Sequence, residues 1–103
     1  MSAITLRTDQ LAWTAAGAYP EGTMIKVLRD EAEARTVLLR LPPGFRMDAH
    51  DHAYGEQHFV LQGEYERGGE EYGAATYEYI PARTQHGPFT SREGAVVLVM
   101  WDG

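Results

Sequence analysis

The sequence predicts an all-β sandwich or barrel, and three observations carry that expectation. The apolar residues fall in many short runs rich in Val, Leu, Ile and aromatic side chains. Between the runs stand turn-forming residues, 11 Gly and 5 Pro in 103 positions, in clusters such as Pro42-Pro43-Gly44 and Gly68-Gly69. The one stretch of helical composition, Asp30-Glu31-Ala32-Glu33-Ala34, is too short for a stable helix even with Asp30 as a cap. A chain of this length is expected to form one domain, residues 1–103.

Taken in order, residues 3–7 alternate weakly and predict a short strand. Residues 9–22 hold Trp13, Tyr19 and Pro20 among glycines, which reads as irregular structure with aromatic anchors. Residues 23–29 and 35–41 are strands joined by a solvated hairpin loop, and Pro42-Pro43-Gly44 ends the second sharply. Residues 45–52 predict the next strand and residues 56–67 a longer one, in which Gly63 marks a bulge or a close backbone approach. Gly68-Gly69 fits a hairpin turn. Short strands follow at 70–72, 76–80 and 88–90, then a turn over Ser91-Arg92-Glu93-Gly94 and a closing strand over 95–101.

The formal charge of −6 argues against a nucleic-acid partner, because phosphate binding calls for a basic patch. The chain has no cysteine, which excludes disulfides and thiolate zinc sites. The N-terminal residues lack the apolar core of a signal peptide, and no run approaches a membrane span, so a cytoplasmic location with no membrane partner is the expectation.

The chemistry concentrates between Gly44 and Gly63, which contain His50, His52, Glu56 and His58; the fourth histidine is His86. His50 and His52 are two apart, and on a strand such residues share a face. Glu56 follows beyond Gly55, where the chain can bend. Three imidazoles (His50, His52, His86) and the Glu56 carboxylate suit one divalent transition metal ion: iron, manganese, nickel, copper or zinc. Burying these four groups without a cation is costly, and a bound metal reverses the sign. His58 shares the face of Glu56 and is a candidate acid, base or hydrogen-bond donor to substrate, or else a cavity-wall residue bonded to a neighbour. Arg83, three residues before His86, is a candidate to meet a substrate carboxylate, although an Arg in such a turn is more often solvated. Val60, Met47, Val96, Leu98 and Met100 are candidates for an apolar cavity wall, and one of Tyr65, Tyr72, Tyr77 and Tyr79 for reaching the cavity.

The pattern Gly, five residues, His-x-His, three residues, Glu, six residues, Gly resembles the first motif of the cupin superfamily, and Gly44, His50, His52, Glu56 and Gly63 fill it without a gap. Ile80 to Phe89, with Pro81 before His86, resembles the second motif, although Ala75 and Arg83 stand where that family usually has Gly, and Thr90 where Asn is frequent. The resemblance covers roughly residues 40–100. It implies a double-stranded β-helix, the RmlC-like jelly-roll barrel. It implies His50, His52, Glu56 and His86 as metal ligands, with two positions of an octahedral ion left for substrate. It also implies pairing into a homodimer, by sheet packing or by exchange of residues 3–7.

Two functions compete. Small cupins similar to this one include metal-dependent dioxygenases that cleave diketones or phenolic compounds; isomerases and lyases occur on the same fold. The run Gly55 to Glu64, with Trp13 and Tyr19-Pro20-Glu21-Gly22, also resembles the cupin domains of ChrR-type anti-sigma factors, which implies a binding or sensing module. Those proteins carry a separate N-terminal zinc-binding domain that holds the sigma factor, and this sequence shows none, so a sensing role is expected to lack an output element. A storage or structural role is disfavoured, because a structural jelly roll does not require the ligands. The enzyme reading, with a small-molecule substrate, is the expectation.

Overall fold

Nine strands curl around one apolar interior in the computed structural model, which describes residues 2–50, 53–85 and 87–102. They are β1 (Thr14–Ala15), β2 (Met24–Glu31), β3 (Ala34–Leu41), β4 (Phe45–Met47), β5 (Gly55–Arg67), β6 (Glu70–Gly73), β7 (Tyr77–Ile80), β8 (Phe89–Ser91) and β9 (Ala95–Asp102). Every pairing is antiparallel. One sheet runs β1-β2-β3-β9-β5-β7, and the other is built from β4, β8, β6 and the second half of β5.

β5 belongs to both sheets. Its first half lies between β9 and β7, and from Glu64 it pairs with β6 and β8. The register against β9 shifts between Val60 and Gln62, a bulge that lets one strand turn from one sheet into the other. Gly63 follows the bulge with φ +74, and a Cβ there would strike the carbonyl oxygen of Gly94. The close approach expected at this glycine is therefore present. Gly68 and Gly69 both take positive φ, as a two-residue hairpin turn requires.

The apolar runs form strands because their side chains alternate between interior and exterior. On β3, Val37, Leu39 and Leu41 join the core; on β9, Ala95, Val97 and Val99 do, with Trp101 packed against them. Val60, Tyr65, Phe45 and Phe89 complete the interior. The 9–22 stretch, expected to be irregular throughout, contains the short strand β1 and is pinned by Trp13, which has the Lys26 ammonium 4.6 Å from its ring centroid and the Arg40 guanidinium 4.9 Å away.

Four expectations need correction. Residues 3–7 form no strand; Ile4 and Leu6 are exposed, and the chain enters the fold through one 3-10 turn, Thr8–Gln10. The β2–β3 loop is only Ala32-Glu33, since Asp30 and Glu31 continue the ladder opposite Arg35 and Ala34. The strand from Phe45 stops at Met47, so His50 lies beyond its end. On β9 the interior residues are Val97, Val99 and Trp101, not Val96, Leu98 and Met100, which are half-buried on the other face. Ala75 and Arg83, which replace usual glycines, still take positive φ, +72 and +60; the turns keep their shape at a backbone cost glycine would not incur.

Candidate functional site

The interior faces of β3, β9 and β5 end on one rung of the ladder, where Arg35 pairs with Trp101 and Trp101 with Glu56. Arg35 continues the stripe of Val37, Leu39 and Leu41, Trp101 that of Val97 and Val99, and Glu56 that of His58 and Val60. Here the sheet opens into a cavity of about 730 Å³, within the range of small-molecule sites. Its walls include Tyr19, Arg35, His50, Glu56, His58 and Trp101, with apolar surface from Phe89, Val97 and Val99.

Glu56 and His58 are buried, 4% and 7% exposed. Their side chains meet, with Nε2 of His58 2.8 Å from Oε2 of Glu56. Nδ1 of His58 lies 3.1 Å from the Tyr65 hydroxyl, which donates to Oε1 of Glu78 at 2.5 Å. Arg67 in turn donates to Glu78. Burial alone pushes the Glu78 carboxyl up, but the Arg67 and Tyr65 hydrogen bonds outweigh it and hold the group below the usual carboxylate range. Burial, then the bond to Glu78, raises the Tyr65 hydroxyl far above the usual phenol value.

The hydrogen bonds along this chain set which way the His58 ring donates. Tyr65 spends its only proton on Glu78, so Nδ1–H of His58 must donate to the Tyr65 oxygen. An ionised Glu56 can only accept. The 2.8 Å contact with Nε2 of His58 closes this chain at the cavity wall.

His50 also lines the cavity, and its Nδ1–H donates to the Asp48 carbonyl at 3.0 Å. In a neutral ring that bond directs the other nitrogen, Nε2, to the role a metal ligand requires. An imidazole and a buried carboxylate lining one cavity are donor types that fit a divalent transition metal. His52 and His86, the other two expected ligands, lie outside the described residues. Among the described residues, no group of three His, Asp or Glu is placed to hold a metal ion.

The structure thus brings His50, Glu56 and His58 to one cavity. It does not bring Arg83 there: that residue is exposed, on the turn after Pro81, and does not line the cavity among the described residues. Of the four tyrosines considered, Tyr65 lines the cavity, and Tyr77 and Tyr79 are exposed. Sequence reasoning missed Arg35, Trp101 and Tyr19 as cavity residues. Period-two counting back from Leu41, Leu39 and Val37 would have placed Arg35 on the interior face. Nothing in the sequence pointed Tyr19 inward. Its hydroxyl is pushed up to about 12 by burial and then by the Glu56 charge, with Arg35 opposing, so it stays protonated at neutral pH.

No helix among the described residues is long and apolar enough to cross a membrane. No curated protein matches the chain in sequence. Solved structures do. A chain of the Rhodobacter sphaeroides complex of SigE with the anti-sigma ChrR is 26% identical, with a TM-score of 0.75 over 93% of this chain. The match spans about half, 52%, of that protein. An RmlC-like cupin from Shewanella frigidimarina gives a TM-score of 0.82 at 18% identity, covering 98% of this chain and 91% of its own. An acetylacetone dioxygenase from Acinetobacter johnsonii gives 0.80 at 16% identity, over 100% of this chain and 74% of its own. The fold is therefore the cupin jelly-roll barrel that the motif spacing implied. The sequence model of the ChrR cupin-like domain matches residues 1–102, and with it the chain belongs to the ChrR cupin-like family.

Proposed function

We propose that the chain is a metal-dependent cupin enzyme of the oxygenase type, acting on a small diketone or phenolic compound in the 730 Å³ cavity. The observation that carries this reading is the buried Glu56–His58 pair, which lines one largely apolar cavity together with His50. His50 and Glu56, with His52 and His86 from the motif, would hold the ion. When bound, the metal would supply Lewis-acid activation of a coordinated enol or phenol oxygen and a place for dioxygen. The protein's own part is distinct. Tyr65, Glu78 and Arg67 fix the His58 ring through a bonded chain, so the imidazole stays aimed at Glu56. The Glu56–His58 pair keeps an exchangeable proton beside the substrate oxygen. Phe89, Val97 and Val99 hold the apolar body of the substrate and exclude water.

A second reading, a metal- or small-molecule-sensing module, is favoured by the family match to the ChrR cupin-like domain. Metal content and oxygen consumption separate them. Elemental analysis of the purified chain is expected to give about one transition-metal ion per chain, falling sharply in Glu56→Ala and His50→Ala. The loaded protein is expected to take up oxygen with acetylacetone or a simple phenol. Stoichiometric metal without uptake removes the oxygenase and leaves the sensing module, or a lyase or isomerase on the same site. No metal after reconstitution removes the enzyme and the metal-sensing module.

A further inference from the structure

We propose that Arg35 is the anion-recognising group of the cavity, and that the small organic molecule bound there carries a carboxylate. The inference rests on the reading of the cavity as a substrate site and names the class of substrate. Arg35 is the sole Lys or Arg among the described lining residues. It sits at the head of the apolar stripe Val37-Leu39-Leu41, on the same rung as Trp101 and Glu56. Glu56 is two strands away, roughly 10 Å between backbones. One end of a compact guest can then lie by Glu56 and the other by Arg35, with an aromatic or branched body over Val97 and Val99.

The guanidinium is positioned but not consumed. The Trp101 ring centroid lies 5.6 Å from Cζ and orients its plane. Its ion-pair partner is Asp30, at 3.9 Å from Nε, beyond hydrogen-bond distance. Both side chains are well exposed, 40% and 64%, so the pair is weak. The two terminal nitrogens, which form the fork that matches a carboxylate, have no hydrogen-bond partner among the described residues. Tyr19, in the field of both Arg35 and Glu56, keeps its proton and offers a donor on the same wall.

The rim also carries acids, and their charges are met or solvated. Glu31 is held by Arg29 at 2.8 Å, and Asp48 faces Arg46 at 3.9 Å. Glu33 is exposed at the hairpin tip. Physiological salt screens such surface charges beyond roughly 8 Å. Inside, the Glu56 carboxylate is in contact with the His58 ring at 2.8 Å.

The test is calorimetric titration of the 103-residue chain with 4-hydroxybenzoate and with its neutral isostere 4-hydroxybenzamide. The acid is expected to bind about tenfold or more tighter than the amide. Arg35→Gln is expected to abolish that preference while leaving the amide's affinity unchanged. Arg35→Lys, which keeps the charge and loses the fork, is expected to retain part of it. Asp30→Asn, which releases Arg35, is expected to sharpen it. Equal binding of acid and amide to the parent chain, or a preference that survives Arg35→Gln, overturns the inference and leaves the cavity reading standing. Failure of both compounds to bind overturns both. Unchanged melting temperatures across the variants exclude misfolding as the cause.

Discussion

At the scale of single residues, Glu78 does more for the site than its place outside the motif suggests. It receives both the Tyr65 hydroxyl and the Arg67 guanidinium, and through Tyr65 it sets which nitrogen of His58 carries a proton. Its carboxyl is held below the ordinary range, the two hydrogen bonds outweighing burial. A group depressed in the folded state contributes stability that is present above its unfolded value, about 4.5, and is lost as the pH falls through the lower folded value. Urea unfolding of the parent chain is therefore expected to show falling stability below about pH 4.5. Glu78→Gln, which cannot ionise, is expected to be less stable at pH 7 and to show a flatter acid limb. An acid limb of equal slope in both proteins would remove Glu78 from this role.

At the scale of elements, β5 governs the geometry, because the bulge before Gly63 carries it from one sheet to the other. Gly63→Ala is expected to destabilise the fold by more than about 1 kcal/mol from the positive φ alone. The Cβ contact with backbone atoms adds to that, since Ala95 Cα would lie at 2.9 Å as well. Thermal denaturation measures it, and an unchanged transition would mean that the two backbones can separate freely. Much of this was legible in the sequence. The motif spacing located Glu56, His58 and Gly63 on one strand, and Gly68-Gly69 marked its end. The phase of β9 was not legible, because Ala95 to Trp101 is apolar at every position and alternation has nothing to show. The end of β4 at Met47 was not legible either, since the i, i+2 argument at His50 presumed a strand that stops three residues earlier. Arg35 was missed because a charge at a strand end reads as solvent-facing, although here it closes an apolar stripe.

At the scale of the whole molecule, the last strand sits in the middle. β9 lies between β3 and β5 along eight residues of each ladder, and it supplies Val97, Val99 and Trp101 to the cavity. A chain ending at Gly94 is expected to show no cooperative melting transition, because β3 and β5 would each present an unpaired edge and the core would lose one wall. A sharp transition in that truncated chain, read by circular dichroism, would contradict the central role of β9.

The same placement bears on biosynthesis. While the polypeptide emerges from the ribosome, the β2–β3 hairpin and the β5–β6–β7 segment are available early, each with one edge waiting for a strand not yet made. The two halves can join only when Ala95 to Asp102 has left the exit tunnel and slid between them. Until then the nascent chain exposes two sticky borders, and any pause in translation just upstream of Ala95 lengthens the interval in which another chain can take the place reserved for β9.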